Sequence, residues 1–176
     1  MSVVLSMLCL LVPVLVIQIR FVLRRQKLET QTWHAVLSRL EGVNLAGLQA
    51  IADLYLKPDA DQLRIEPNEM WKTVGGLKGL QYLRSNADAM LNLAMFAEQW
   101  HSENGRIVSE FMRRDAMILK KAILRVEFSM LYGLGRVRAP FALHQAIATY
   151  ILMRGRLLGL YGVAHISRIP ILEAAL

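Results

Sequence analysis

Residues 1–23 read MSVVLSMLCLLVPVLVIQIRFVL, and this stretch decides how the rest of the chain is organised. From Met1 to Ile19 the only polar side chains are Ser2, Ser6 and Gln18. A helix rises about 1.5 Å per residue, so roughly 20 apolar residues match the ~30 Å hydrocarbon core of a bilayer. Counting on to Leu23 lengthens the run, with Arg20 free to snorkel toward the headgroups. Pro13 lies mid-run, where a lipid-embedded helix accepts it as a kink. The expectation is therefore a transmembrane helix over residues 1–23. A cleaved signal peptide needs basic residues before its apolar stretch and a small-x-small cleavage site after it. Here no Lys or Arg precedes the run, and Gln18-Ile19-Arg20-Phe21 follows it. A helix buried in a soluble protein is rarely free of charge for so long.

Arg20, Arg24, Arg25 and Lys27 close this segment. Basic residues flanking a span are retained on the cytoplasmic side, so the N-terminus is expected to face out and residues 24–176 to form a cytoplasmic domain. A bacterial inner membrane is the default setting for this single-pass arrangement. The same four cations are expected to meet anionic headgroups. The lone cysteine, Cys9, lies inside the apolar run behind Leu8. It permits no disulfide within one chain and no cysteine-based metal site, and its setting does not resemble a lipoprotein attachment motif.

The chain is 55% hydrophobic but only 7% aromatic, and carries nine Met. Its net charge of +7 is unevenly spread. Residues 1–28 carry +4, residues 29–105 carry −4 and residues 106–168 carry +8. Two basic zones thus flank an acidic one.

Beyond the span the reading is helical throughout, since no segment alternates apolar and polar residues for long and no Asn-Gly or Asp-Gly hairpin signal occurs. The fold class expected is all-α: the anchor, then a bundle of about five or six helices. Leu28–Leu40 has helical spacing up to Gly42, and Asn44 suits the N-cap of a helix ending before Lys57-Pro58. Residues 57–67, with two Pro, read as the main loop. Pro67 suits the first turn of a helix to Arg84, in which Gly75, Gly76 and Gly79 imply a break or a very close helix approach. Ser85 or Asn86 is then expected to cap a helix reaching Asn104-Gly105.

The longest helix is expected over Arg106–Leu131. Its apolar stripe holds Val108, Phe111, Met112, Ile118, Leu119, Ala122, Ile123, Val126 and Met130. The opposite face holds Arg106, Arg113, Arg114, Lys120, Lys121 and Arg125, with Glu110 positioned for an i,i+4 pair with Arg114. Pro140 is expected to open the last long helix, to Val163. That segment is nearly apolar enough to span, but Arg154 and Arg156 near its middle argue against insertion. Gly155 and Gly159 give it a small-xxx-small pair suited to close packing on a neighbour.

Few residues suggest chemistry. Glu98 and His101 have the Glu-x-x-His spacing of di-metal helical bundles, but such a site needs a second copy and further inward carboxylates, which the sequence lacks. Asp115 falls in the middle of an apolar stripe, where a lone carboxylate must be paired or protonated. Arg154, Arg156 and His144 are its candidate partners, and a tuned acid or base in a cleft is the functional alternative. No nucleophile elbow, phosphate loop or dinucleotide fingerprint occurs, and no cofactor is implied. The basic face of residues 106–125 suits solvent or an anionic leaflet. It suits nucleic acid least, lacking interleaved aromatic residues and any known recognition module.

The role expected is a membrane-anchored interaction or scaffold module, such as a small subunit of a membrane complex, with lipids and a protein partner or a second copy as its contacts. A membrane-surface enzyme using Asp115 or Glu98 and His101 is the alternative. Binding of nucleic acid or anionic lipid through residues 106–125 is a further one.

Overall fold

A computed structural model of the chain describes residues 32–56, 66–100, 102–131, 135–163 and 169–176. The span expected at 1–23, the cations Arg20, Arg24, Arg25 and Lys27, and most of the 57–67 loop lie outside these residues. The described residues are all-helical, without strands, and form seven helices. In order they are α1 (Trp33–Leu37), α2 (Leu45–Leu56), α3 (Pro67–Val74), α4 (Gly76–Trp100), α5 (Ser102–Leu131), α6 (Gly135–Val163) and α7 (Ile169–Ala175). The helix beyond the five or six expected is α7, a seven-residue piece after the last one read from the sequence. None of the described helices, α6 included, is long and apolar enough to cross a membrane.

The chain divides after Ala35 into two units. In the first, the described residues begin with Thr32, whose Oγ1 and carbonyl both accept from the Ala35 amide. That turn starts α1, and the rings of Trp33 and His34 meet edge to face at 5.0 Å.

In the second unit α6 is the hub, with α2, α3, α4, α5 and α7 all packed against it. Leu143, Ile147, Tyr150, Met153 and Leu157 are buried along it. They meet Leu48 of α2, Leu83, Met90 and Leu93 of α4, and Met112, Leu119 and Ile123 of α5 in one core. Two buried tyrosines keep their hydroxyls satisfied, as buried polar groups must. Tyr161 Oη donates to the Leu93 carbonyl at 3.0 Å, and Tyr150 Oη accepts from Asn86 Nδ2 at 3.2 Å.

The local rules hold at two helix starts. Asn44 Oδ1 accepts from the Gly47 amide at 3.2 Å and so caps α2. Pro67 occupies the first turn of α3, behind an extended Glu66 at φ −62° and ψ 140°.

Elsewhere the structure corrects the expectation. The helix opened by Pro67 does not reach Arg84. It stops at Gly75, which adopts the left-handed conformation at φ 86° and turns its amide back onto the Lys72 and Trp71 carbonyls. The chain resumes as α4 so tightly that a Cβ on Gly79 would overlap the Val74 carbonyl. Break and close approach are thus one feature. Neither Ser85 nor Asn86 then starts a helix, because both lie inside α4. The α4–α5 break falls between Trp100 and Ser102, so Asn104 and Gly105 sit in the first turn of α5 and do not end α4. The α1 helix ends at Leu37 and not Leu40, its end tightening into three-residue turns at Arg39 and Leu40. Finally, α6 opens at Gly135, five residues ahead of Pro140. Pro140 is the sixth residue of that helix, past the four amides that lack an intrahelical partner, so it removes one bond of the ladder in the second turn.

Candidate functional site

Four polar arrangements stand out, three internal and one external. The first is built on Asn86, buried to 2% exposure inside α4. Its Oδ1 accepts from the Glu41 amide at 2.7 Å, and its Nδ2 donates to the Glu41 carbonyl at 2.8 Å. A side-chain amide thus pairs with a backbone amide as a neighbouring strand would, fixing the α1–α2 connection to α4. Tyr150 of α6 completes it. Sequence reasoning took Asn86 for a helix cap, and no local signal betrays a partner 45 residues away.

The second is Asp115, with the residue 6% exposed on the inner face of α5. Its Oδ2 accepts from Arg156 Nη1 of α6 in an ion pair. Of the three candidate partners, the structure brings Arg156 to it. The guanidinium of Arg156 also lies over the Phe111 ring, 5.2 Å from its centroid. Burial pushes the Asp115 carboxyl above the ordinary carboxylate range, with Arg156 and Arg114 pulling the other way.

The third joins helices directly. Lys120 Nζ of α5 donates to Asp88 Oδ1 of α4 at 2.6 Å. His144, on α6, hydrogen-bonds the Ile51 backbone, and burial pushes its imidazole below the usual histidine range. Glu98 lies on α4, but its side chain and all of His101 fall outside the described residues.

The fourth is the outer face of α5. At 100° per residue its inner face is Met112, Asp115, Ala116, Leu119, Ala122, Ile123 and Val126, all buried. That corrects two members of the expected stripe. Phe111 is 49% exposed because it lies at the margin of the buried arc, and Met130 43% because, although it shares Met112's position around the helix, it sits in the last turn of α5. A second apolar series faces outward: Met117, Leu124 and Leu131, exactly seven residues apart and each largely exposed. Ile107 and Phe128 are exposed on the same outer half of the helix.

Cations line both edges of this series. Arg106, Arg114, Lys121 and Arg125 are exposed, and none of them is in an ion pair among the described residues. Arg113 and Lys120 are half-buried on the other edge, each held by a carboxylate. Arg113 takes Glu110 at 3.1 Å, so Glu110 pairs at i,i+3 and not with Arg114 as its i,i+4 spacing suggested. Both rows are within reach on a helix surface. Near the start of the helix, Arg106, Ile107, Phe111, Arg113 and Arg114 line a groove of about 720 Å³, with Glu110 at its wall.

The fold and this face define an all-helical domain with one long helix that is amphipathic on its outer side as well as buried on its inner side. No protein-family model matches the chain, and no curated protein or solved structure matches it significantly.

Proposed function

We propose that this chain is a membrane-anchored interaction module whose working surface is the outer face of α5. The observation that carries the reading is the row Met117, Leu124 and Leu131, exposed by 57%, 48% and 77%. Single exposed apolar residues are ordinary, but a periodic row along one helix marks a contact surface. Neighbouring Ile107 and Phe128 extend it over about 36 Å of helix.

The enzyme reading gains less. A catalytic site needs polar groups converging on one concavity. Here the three internal arrangements do not share a common concavity. The Asp115 carboxyl is turned to Arg156, and the groove beside Phe111 draws its described lining from α5 alone.

The test uses the full chain in its native membrane, with a photoactivatable side chain at Leu124 or, for comparison, at exposed Ser85 of α4. Adducts from Leu124 and not from Ser85 support a docking surface on α5. A chain that yields no adduct from either position, while remaining folded, removes the basis of the reading.

A further inference from the structure

We propose that the occupant of the α5 outer face is the anionic leaflet of a bilayer, with Met117, Leu124 and Leu131 at the headgroup–acyl boundary and Arg114, Lys121 and Arg125 on lipid phosphates. This rests on the reading above that α5 is a docking surface, and names what docks there.

Three observations choose the leaflet over a protein. The first is the mixture of residues. The cores of protein interfaces are depleted of Lys, whereas interfacial helices place Lys and Arg beside their inserted apolar residues. On α5, Lys121 lies four residues after Met117 and three before Leu124, so it flanks the apolar row directly, about 40–60° around the helix from it. A protein partner would have to bury that ammonium. At a bilayer its four-carbon stem lies along the apolar surface and the charge rises to the phosphates.

The second is the sign of the charge. Glu110 is taken up by Arg113, and Lys120 by Asp88, which leaves Arg106, Arg114, Lys121 and Arg125 as exposed cations along the helix. A second copy applied through the same face would set these cations against their equals, so self-association is disfavoured. Anionic headgroups are complementary to them. The open groove beside Phe111, lined by Arg106, Arg113 and Arg114 with Glu110 paired to Arg113, keeps a positive excess that suits a phosphate.

The third is tethering. Only nine residues, 24–32, separate Leu23, which ends the apolar run, from Trp33, where α1 begins. Fully extended, they reach about 30 Å. A bilayer holding residues 1–23 therefore stays at high effective concentration near the domain, and a weak surface contact suffices.

The experiment uses the full chain in lipid nanodiscs. Cys9→Ser removes the only native cysteine, and Leu124→Cys or Ser85→Cys carries an environment-sensitive fluorophore. The nanodiscs contain either phosphatidylglycerol with phosphatidylcholine or phosphatidylcholine alone, each with a lipid-borne quencher. The expected result is quenching at position 124, not 85, only in the anionic nanodiscs, and its loss at high salt. Replacing Arg114, Lys121 and Arg125 by Gln should weaken the contact by about fivefold per cation removed. No quenching at position 124 in anionic nanodiscs overturns the proposal, as does equal, salt-independent quenching in phosphatidylcholine. If quenching is absent but Leu124 crosslinks to a protein in the native membrane, the docking surface stands and its occupant is a protein. If both are absent, both readings fall.

Discussion

Asp115 shows how one residue can look functional and be held structurally. Its place amid apolar residues was plain from the sequence, and so was the need for a counter-charge. Which of Arg154, Arg156 or His144 supplies it depends on how α5 and α6 are rotated against each other, and no spacing rule gives that. The pair has a pH signature. With its folded value raised by burial, Asp115 holds its proton more tightly folded than unfolded. In the window between its ordinary value and the raised one, the folded state binds more protons, so stability falls as pH rises. The contribution is complete below the ordinary carboxylate range and gone above the raised value. Asp115→Asn cannot titrate. Thermal melts of the two chains across mildly acidic pH should therefore show wild type losing stability relative to the variant as pH rises. Relative stability independent of pH would show that Arg156 offsets burial, and wild type gaining on the variant as pH rises would show that Arg156 outweighs it. Asn86 makes the complementary point. It carries no charge and no motif, yet it holds Glu41 and Tyr150 at once.

At the scale of elements, the glycines divide by what surrounds them, and this is where sequence reasoning was half right. The Gly75-Gly76-Gly79 cluster was expected to be a break or a close approach, and it is both. The Gly155 and Gly159 pair was expected to permit close packing on a neighbour, yet a Cβ at either position meets nothing within 4 Å. The motif alone does not distinguish a contact from an exposed ridge, because both need the same spacing. The two cases predict opposite effects. Gly79→Ala should destabilise strongly, since the clash is with the fixed Val74 carbonyl and not with a movable side chain. Gly155→Ala and Gly159→Ala should be neutral or stabilise by up to about 1 kcal/mol each, through helix propensity alone. Chemical denaturation of the three variants checks this. A large loss at Gly159 would mean that the ridge is covered by something outside the described residues. The same limit explains α5. Its helical nature and its cations were legible, but Phe111 was placed inside because an arc of apolar residues wider than the buried one has no boundary visible in sequence, and Met130 because the helix's own pattern does not show where along its length the cover stops. The outward row at 117, 124 and 131 was readable as a seven-residue period, and was masked by the stronger inner stripe.

At the scale of the whole molecule the question is which leaflet the charges can meet. The two basic zones, +4 over residues 1–28 and +8 over residues 106–168, are separated by an acidic one. Orientation of a single span follows the Lys and Arg close to its ends, and acidic residues contribute little. The cations near the apolar run, Arg20, Arg24, Arg25 and Lys27, cluster at its C-terminal end. On the anchored reading proposed above, that asymmetry predicts an outward N-terminus with the helical domain inside. In that orientation the cations after the proposed span and those of α5 are on the same side of the bilayer, and in the reverse one both are on the other side. A C-terminal green fluorescent protein fusion, which folds only in the cytosol, should therefore fluoresce in a bacterial host, and a C-terminal alkaline phosphatase fusion should be inactive. Replacing the four flanking cations by Gln and adding Lys residues after Met1 should reverse both readouts, because the asymmetry then points the other way. If fluorescence persists unchanged in that variant, the orientation is set by the folded domain and not by the flank. If the phosphatase fusion is active in the unaltered chain, residues 24–176 lie outside the cytosol, and the α5 cations must be matched to a different surface.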